Sequence, residues 1–307
     1  MPRRLLRPAL VLTLLAGVGS GIGLLAASAK SVRAAGGLRV VAAESSWGSL
    51  AAQLGGRHAQ VTSVIANPAA DPHDYEPTAV DARAVAEARL VIENGVGYDP
   101  WAAKLVAASP TPGRLTVDVG NLVGVRSGGN PHRWYSPADV RRVIAAVTAA
   151  YVRLDPTHAS YFRARETRLE QDGLSRYRQL LATIGRRYRG VAVGASESVF
   201  APLAQALGLK LVTPPSFLRA TSEGADPSAA DLAEIARQVV RRQIAVWVVD
   251  SQNSTPDVAR ITAAARARGI PVVAITETLS PATASFQSWQ VRQLQALAAA
   301  LAHGTGR

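Results

Sequence analysis

The sequence predicts an α/β protein of two lobes, each with a mainly parallel sheet flanked by helices, joined by one long helix. Three observations lead there. Short apolar runs alternate with amphipathic helical patterns in two separate series, the signature of βα units and parallel strands. Between the series, residues 137–187 carry helical periodicity and no strand pattern. The chain, 307 residues at 48% hydrophobic and 18% charged, is long enough to bury two cores.

The first residues are read separately from the fold. MPRRLLR is a basic opening, residues 8–27 carry no charge, and Ala27-Ser28-Ala29 resembles a small-residue cleavage site. Residues 1–29 are therefore expected to be an export signal, with an uncleaved single-span anchor as the alternative. An extracytoplasmic protein, periplasmic or at the cell surface, is the expectation. The chain contains no cysteine. Disulfides, thiolate metal sites and a cysteine-linked lipid anchor are all excluded by that count, so a metal would have to be held by histidine and carboxylate.

The first lobe is expected over residues 38–155. LRVVAAE (38–44) reads as a buried strand, and SSWGSLAAQLGG as a helix capped by serine and stopped by Gly55-Gly56. QVTSVI follows as a strand, then the loop DPHDYEP (71–77), a helix from Thr78 to Ala88 and the strand RLVIENG. A helix opened by Asp99-Pro100 and the strand LTVDV complete the series. Residues 156–187 are read as the linking helix, with Gly173 as its weak point; about 25 helical residues run roughly 37 Å, enough to reach both lobes. The second lobe, 188–307, repeats the alternation: VAVGA, a helix over 198–207, LKLVT, a helix from Pro227 to Arg242, IAVWVVD, a helix from Pro256 to Arg268, IPVVAIT and a closing helix from Phe286 to His303.

A net charge of +12 would suit nucleic acid or an anionic membrane. The arginines, however, are scattered through Ala-rich helical stretches, and aromatics total only 5%, so no basic stripe with stacking rings exists. A solvated basic surface is expected, with no nucleic-acid partner.

The chemistry concentrates around two of the five histidines. Asp71-Pro72-His73-Asp74-Tyr75 is echoed by Asn130-Pro131-His132-Arg133-Trp134. In both, a turn-forming residue precedes a proline of fixed φ, the histidine follows, and an aromatic two residues later is placed to pack behind its ring. Ligands of doubly wound sheets bind beyond the carboxyl ends of the strands. His73 lies there in the first lobe. In the second, VAVGAS is followed by Glu197, IAVWVV by Asp250 and PVVAIT by Glu277. Each carboxylate alone reads as a first-turn or loop residue. Together with two preorganised histidines they point to a divalent cation held in a cleft.

DPHDYEPTAVDARAVAEARLVIENGVGYDPW closely resembles the signature of the zinc and manganese substrate-binding proteins of bacterial ABC importers, in which a single long helix links the lobes. NPHRWYSPADVRRVIAAVTAAYVRLDP resembles that family's second histidine loop, and the likeness runs from about residue 38 to the C-terminus. The resemblance implies four metal ligands: His73, His132, Glu197, counted back from Leu207-Gly208-Leu209, and Glu277, which stands where the family usually has aspartate. Asp250 is the reserve for the fourth position. Asp71, Asp74 and Glu76 are expected to orient the imidazole or cap the next helix. The resemblance also implies one transported Mn(II) or Zn(II), delivery to a membrane ABC permease, and a monomer. Two neutral imidazoles with two carboxylates make a neutral, closed site, whereas a catalytic metal keeps a position open. The competing readings are a metal-dependent extracytoplasmic hydrolase, for which no HExxH or GxSxG stands in the sequence, and a metal-binding surface adhesion protein.

Overall fold

In a computed structural model, residues 37–69 and 72–307 are described. The expected export signal lies outside these residues, and no helix among them is long and apolar enough to cross a membrane.

The first sheet contains β1 (Leu38–Glu44), β2 (Ala59–Ile65), β3 (Leu90–Glu93) and β4 (Leu115–Asp118) in the order β2-β1-β3-β4, all parallel. The second contains β5 (Ala192–Ala195), β6 (Lys210–Leu211), β7 (Trp247–Asp250) and β8 (Val272–Ile275) in the order β6-β5-β7-β8, again all parallel. The inner strands β1, β3, β5 and β7 are short and mostly buried because helices cover both faces, whereas the edge strand β2 alternates, with Gln60 and Thr62 exposed. Parallel neighbours need a crossover, and the helices α1 (Ser45–Gly55), α2 (Ala79–Glu87), α3 (Pro100–Ala108) and α4 (Val119–Val123) serve the first sheet. Thr78 caps α2 in a reciprocal capping box with Asp81.

The serine cap expected for α1 is absent. Glu44 occupies the cap position without a side-chain bond, and the serines turn to the second half of the chain: Ser45 Oγ accepts from the Leu279 amide (3.1 Å) and Ser49 Oγ from the Phe286 amide (2.9 Å). A hydroxyl on the buried face of a helix is worth more to a distant orphan N–H than to the helix's own end, where other residues approach.

Helix α5 (Pro137–Leu154), capped by Ser136, leads to the linking segment. The single helix expected over 156–187 is divided into a turn at Pro156–His158, α6 (Ala159–Arg168), a π-turn at Leu169–Gly173 and α7 (Ser175–Tyr188). The Leu174 amide donates to the Leu169 carbonyl, an i→i+5 bond of 2.8 Å. The extra residue moves Gly173 off the buried stripe and brings Leu174 onto it, in line with Tyr177, Leu180 and Ile184.

Helices α8 (Ala201–Leu207), α10 (Ala229–Val240), α11 (Pro256–Ala267) and α12 (Phe286–Thr305) serve the second sheet as expected. A further helix, α9 (Pro215–Ser222), occupies PSFLRATS, a stretch to which the sequence pattern assigns no element. Its eight residues are too few for a periodicity to register, yet Pro215 presets its first turn and Phe217, Leu218 and Thr221 are buried. One hydrophobic core runs through both halves, from Val40 and Trp47 through Trp134 and Tyr135 to Trp247 and Trp289.

Candidate metal centre

The site forms where the carboxyl ends of the two sheets meet. His73 sits in the short turn Pro72–Asp74 beyond β2, His132 just before the turn Arg133–Tyr135 that leads into α5, Glu197 after β5 and Glu277 after β8. One candidate donor atom from each lies within 4.8 Å of the other three. His73 Nε2 stands 3.7 Å from Glu197 Oε1 and 3.5 Å from Glu277 Oε1; His132 Nε2 stands 3.6 Å from Glu197 Oε1 and 2.9 Å from Glu277 Oε2. Ligands about 2.0–2.2 Å from a tetrahedral ion lie roughly 3.4 Å from one another, so these separations bracket what one cation needs. The reserve candidate Asp250 is not among the four residues that converge.

Burial and charge show what the arrangement lacks. His132, Glu197 and Glu277 have no exposed side-chain surface, while the His73 side chain is 22% exposed. Asn130 fixes the His132 ring: its amide donates to the Ser198 carbonyl (2.7 Å), so its Oδ1 faces His132 and accepts from the backbone N–H (2.9 Å) and from Nδ1 (3.1 Å). That assigns the ring proton to Nδ1 and leaves a lone pair on Nε2, aimed at the carboxylates. His132 Nε2, Glu197 Oε2 and Glu277 Oε1 are all buried without a hydrogen bond. Buried lone pairs facing one another require a positive charge between them.

Without a metal, a proton meets that need. Burial alone would lower the His73 pKa, but hydrogen bonds and charge from Glu197 and Glu277 outweigh it and push it up to about 10. Burial likewise opposes ionisation of Glu277, and the two histidines overcome it, holding its carboxyl well below the usual range. Asp250 goes the other way: burial, then the charges of Glu277 and Glu197, raise its pKa well above normal.

Several positioning residues carry no sequence signal strong enough to single them out. Tyr98 donates from its hydroxyl to Glu277 Oε2 (2.9 Å) and packs edge-on against His73 (centroids 5.0 Å) and His132 (5.8 Å). It is thrust there by Gly95, Val96 and Gly97, three consecutive residues with positive φ (68°, 58° and 86°). For β-branched Val96 this is a strained conformation, of a kind that concentrates at functional sites. Asp99 holds the loop by accepting from the Asn94 and Gly95 amides, both at 2.7 Å. Asn94 in turn accepts from Trp47 Nε1 and donates to the Pro131 carbonyl (2.8 Å), steadying the turn that presents His132. On the other side, Ser222 at the end of α9 donates to Glu197 Oε1 (3.1 Å), and Gln252 Oε1 accepts from the Glu277 and Thr278 amides (2.6 and 3.0 Å).

The expected aromatic backing holds for one histidine. Trp134 lies perpendicular to the His132 ring at 5.5 Å, whereas Tyr75 turns away to Trp101 and donates to Asp81, leaving Tyr98 to pack on His73. Tyr75 thereby joins the Asp81 carboxylate of the capping box that starts α2. Asp74 and Glu76 are exposed, and Asp71 lies outside the described residues.

Fold and site together define a two-sheet α/β protein with a mixed imidazole–carboxylate cluster between its halves. The chain belongs to the family described as "Zinc-uptake complex component A periplasmic", which matches residues 40–300. It is 31% identical over 166 residues to the iron-binding protein YfeA of Yersinia pestis, covering 50% of this chain and 51% of that protein. It is 25% identical over 248 residues to the manganese-binding lipoprotein MntA of Bacillus subtilis, covering 76% and 77%. The chain spans about half the length of the first curated relatives it matches. Among solved structures, a Mn-bound single-site mutant of a periplasmic metal-binding protein from Candidatus Liberibacter asiaticus superposes with a TM-score of 0.72 at 18% identity, covering 85% of this chain and 98% of that one. At that identity the likeness establishes the fold.

Proposed function

We propose that this chain is an extracytoplasmic receptor that takes one divalent transition metal ion, Mn(II) or Zn(II), as cargo between its two halves and hands it to a membrane ABC permease. His73, His132, Glu197 and Glu277 are the ligands. The observation that carries this reading is the convergence of four donors from four separate segments, three of them buried with lone pairs lacking partners. Family membership and the metal-binding names of the relatives support it. Four protein donors around one ion speak for carriage rather than hydrolysis, because no coordination position is reserved for an activated water. Glu197, in place of a third imidazole, makes the set more oxygen-rich and favours manganese among the available ions, although zinc binds such sites more tightly in the tube.

The test is metal stoichiometry and thermal stability. The wild-type chain is expected to bind one Mn(II) or Zn(II) and to gain about 2.7 kcal/mol of apparent stability when free metal is about a hundred times Kd. A His73→Ala, His132→Ala double variant loses that gain. Retention of full affinity in the double variant refutes the assignment. Elemental analysis of protein taken from its own extracytoplasmic compartment identifies the native cargo.

A further inference from the structure

Among the described residues a second group of metal-ligating side chains stands apart from the cleft: His58, Asp155 and His158, whose donor atoms also lie within 4.8 Å of one another. His58 ends the short turn between α1 and β2, Asp155 terminates α5, and His158 ends the turn that opens the linking helix α6. With the cleft ligands, this places four of the five histidines of the chain in two clusters. We propose that His58, Asp155 and His158 form a second, peripheral cation site, which takes a borderline divalent ion such as Zn(II), Ni(II) or Cu(II) and clasps the first half of the molecule to the start of the linking helix.

The two imidazoles stack with centroids 3.9 Å apart and planes at 29°, which keeps their nitrogens close; because each lone pair lies in its ring plane, an ion shared by both requires the half-exposed His158 ring to turn out of the stack toward it. Asp155 is buried, and its Oδ2 lies 2.7 Å from His158 Nδ1. The hydrogen shared by these two atoms is the one a cation would replace. Asp155-Pro156-Thr157-His158 is also a third Asp/Asn-Pro turn with a histidine behind it, after those of His73 and His132. His58 is fixed from below by Tyr161 and Phe162 of α6, at 4.6 and 6.1 Å, and by the close approach of Gly56 to that helix. A Cβ at Gly56 would lie 2.2 Å from the Tyr161 hydroxyl, and its φ of 49° also favours glycine.

Arg57 Nε donates to His58 Nε2 (3.2 Å), which requires a lone pair there. Two imidazoles and one carboxylate on one side of an ion, with the other side open to water, are ligands that suit borderline transition ions and disfavour Mg(II) or Ca(II). Arg57 is the opposing element: its guanidinium sits 5.0 Å over the Tyr161 ring, close to where a cation would bind, and repels it. The site is therefore weaker than the cleft, and relief of that repulsion strengthens it.

The experiment uses the full chain with the cleft silenced by His132→Ala and Glu277→Gln, titrated with Zn(II) alone against a chromophoric competitor. One equivalent is expected to remain. Adding His158→Gln weakens that binding at least tenfold, and adding Arg57→Gln instead tightens it several-fold. His58→Gln, at a half-buried position, serves as the independent variant, and an unchanged far-UV spectrum shows that it folds. The proposal is overturned if the cleft-silenced chain binds no zinc, or if its binding is indifferent to both histidine variants. If silencing the cleft fails to remove the tighter equivalent, it is the cleft assignment that fails, and dependence of the weaker equivalent on His58 and His158 still decides the second site.

Discussion

The two sheets share one strand order, but only the second turns one of its innermost carboxylates toward the histidines. In each, the strand order reverses beside the central pair, β1 and β3 in the first sheet and β5 and β7 in the second, and a ligand crevice is expected beyond the carboxyl ends there. At or just past those strand ends stand Glu44 and Glu93 in the first sheet, and Glu197 and Asp250 in the second. Glu44 is buried beside Asp99; burial, then the Asp99 charge, raises its pKa well above normal, and Glu93 is pushed up to about 7 by burial, then by Asp99 and Asp118. Glu197, equally buried, faces two imidazoles. Asp250 resembles the first pair, its pKa raised by burial and then by the charges of Glu277 and Glu197, so only Glu197 stands apart, and the difference lies in the two imidazoles that the opposite half brings to it.

The comparison can be broken most forcefully at Glu197. Glu197→Gln is expected to lower metal affinity by more than about 100-fold, since even partners outside the ligand shell cost about 10–100-fold when lost; isothermal titration measures it. A loss under about tenfold would mean that the two halves do not differ as described. Tyr98→Phe removes only the hydroxyl that holds Glu277 and is expected to cost about tenfold in affinity, with the fold retained by circular dichroism.

Protonation sharpens the contrast further. In the metal-free chain His73 has a folded pKa of about 10, above its unfolded value near 6.5. Its stabilising contribution is present in full below pH 6.5 and is lost as pH rises toward 10. Thermal melts of the metal-free protein should therefore fall across that window, and melts of the loaded protein should not, because the ion replaces the proton. For the same reason metal uptake near neutral pH is expected to release a proton and to weaken as pH falls, which calorimetry in buffers of different ionisation enthalpy detects. The smallest effect belongs to the first sheet. Glu44→Gln, which substitutes a neutral amide for a carboxyl whose pKa burial and Asp99 already raise, should leave metal affinity within about twofold, against the large loss at Glu197.

The histidine turns illustrate how far local sequence reaches. A proline before each histidine and a turn residue before each proline are local signals, and they are enough to single out His73 and His132. Asn130 is legible as part of that frame, though its task of holding the His132 Nδ1 proton is set by Ser198 from the other half. Tyr98, Ser222 and Gln252 are not legible, because each acts on a partner whose place in space the local sequence does not give: the Tyr98 to Glu277 bond joins residues 179 apart. The π-turn at Leu169–Gly173 is half legible. Gly173 marks the weak point, but the extra residue is inserted there only because Leu174, not Gly173, must meet the buried stripe.

The sequence by itself determined the two βα series, the helical segment between them, the absence of any thiolate chemistry and the candidate residues at strand ends, because periodicity, proline turns and composition act over a few residues. Only the tertiary structure decided which carboxylates share space with the histidines. It brought Glu197 and Glu277 to them and left Asp250 out of the converging four, its pKa raised by burial and by its carboxylate neighbours, since the titration of a buried group depends on what the rest of the chain packs against it.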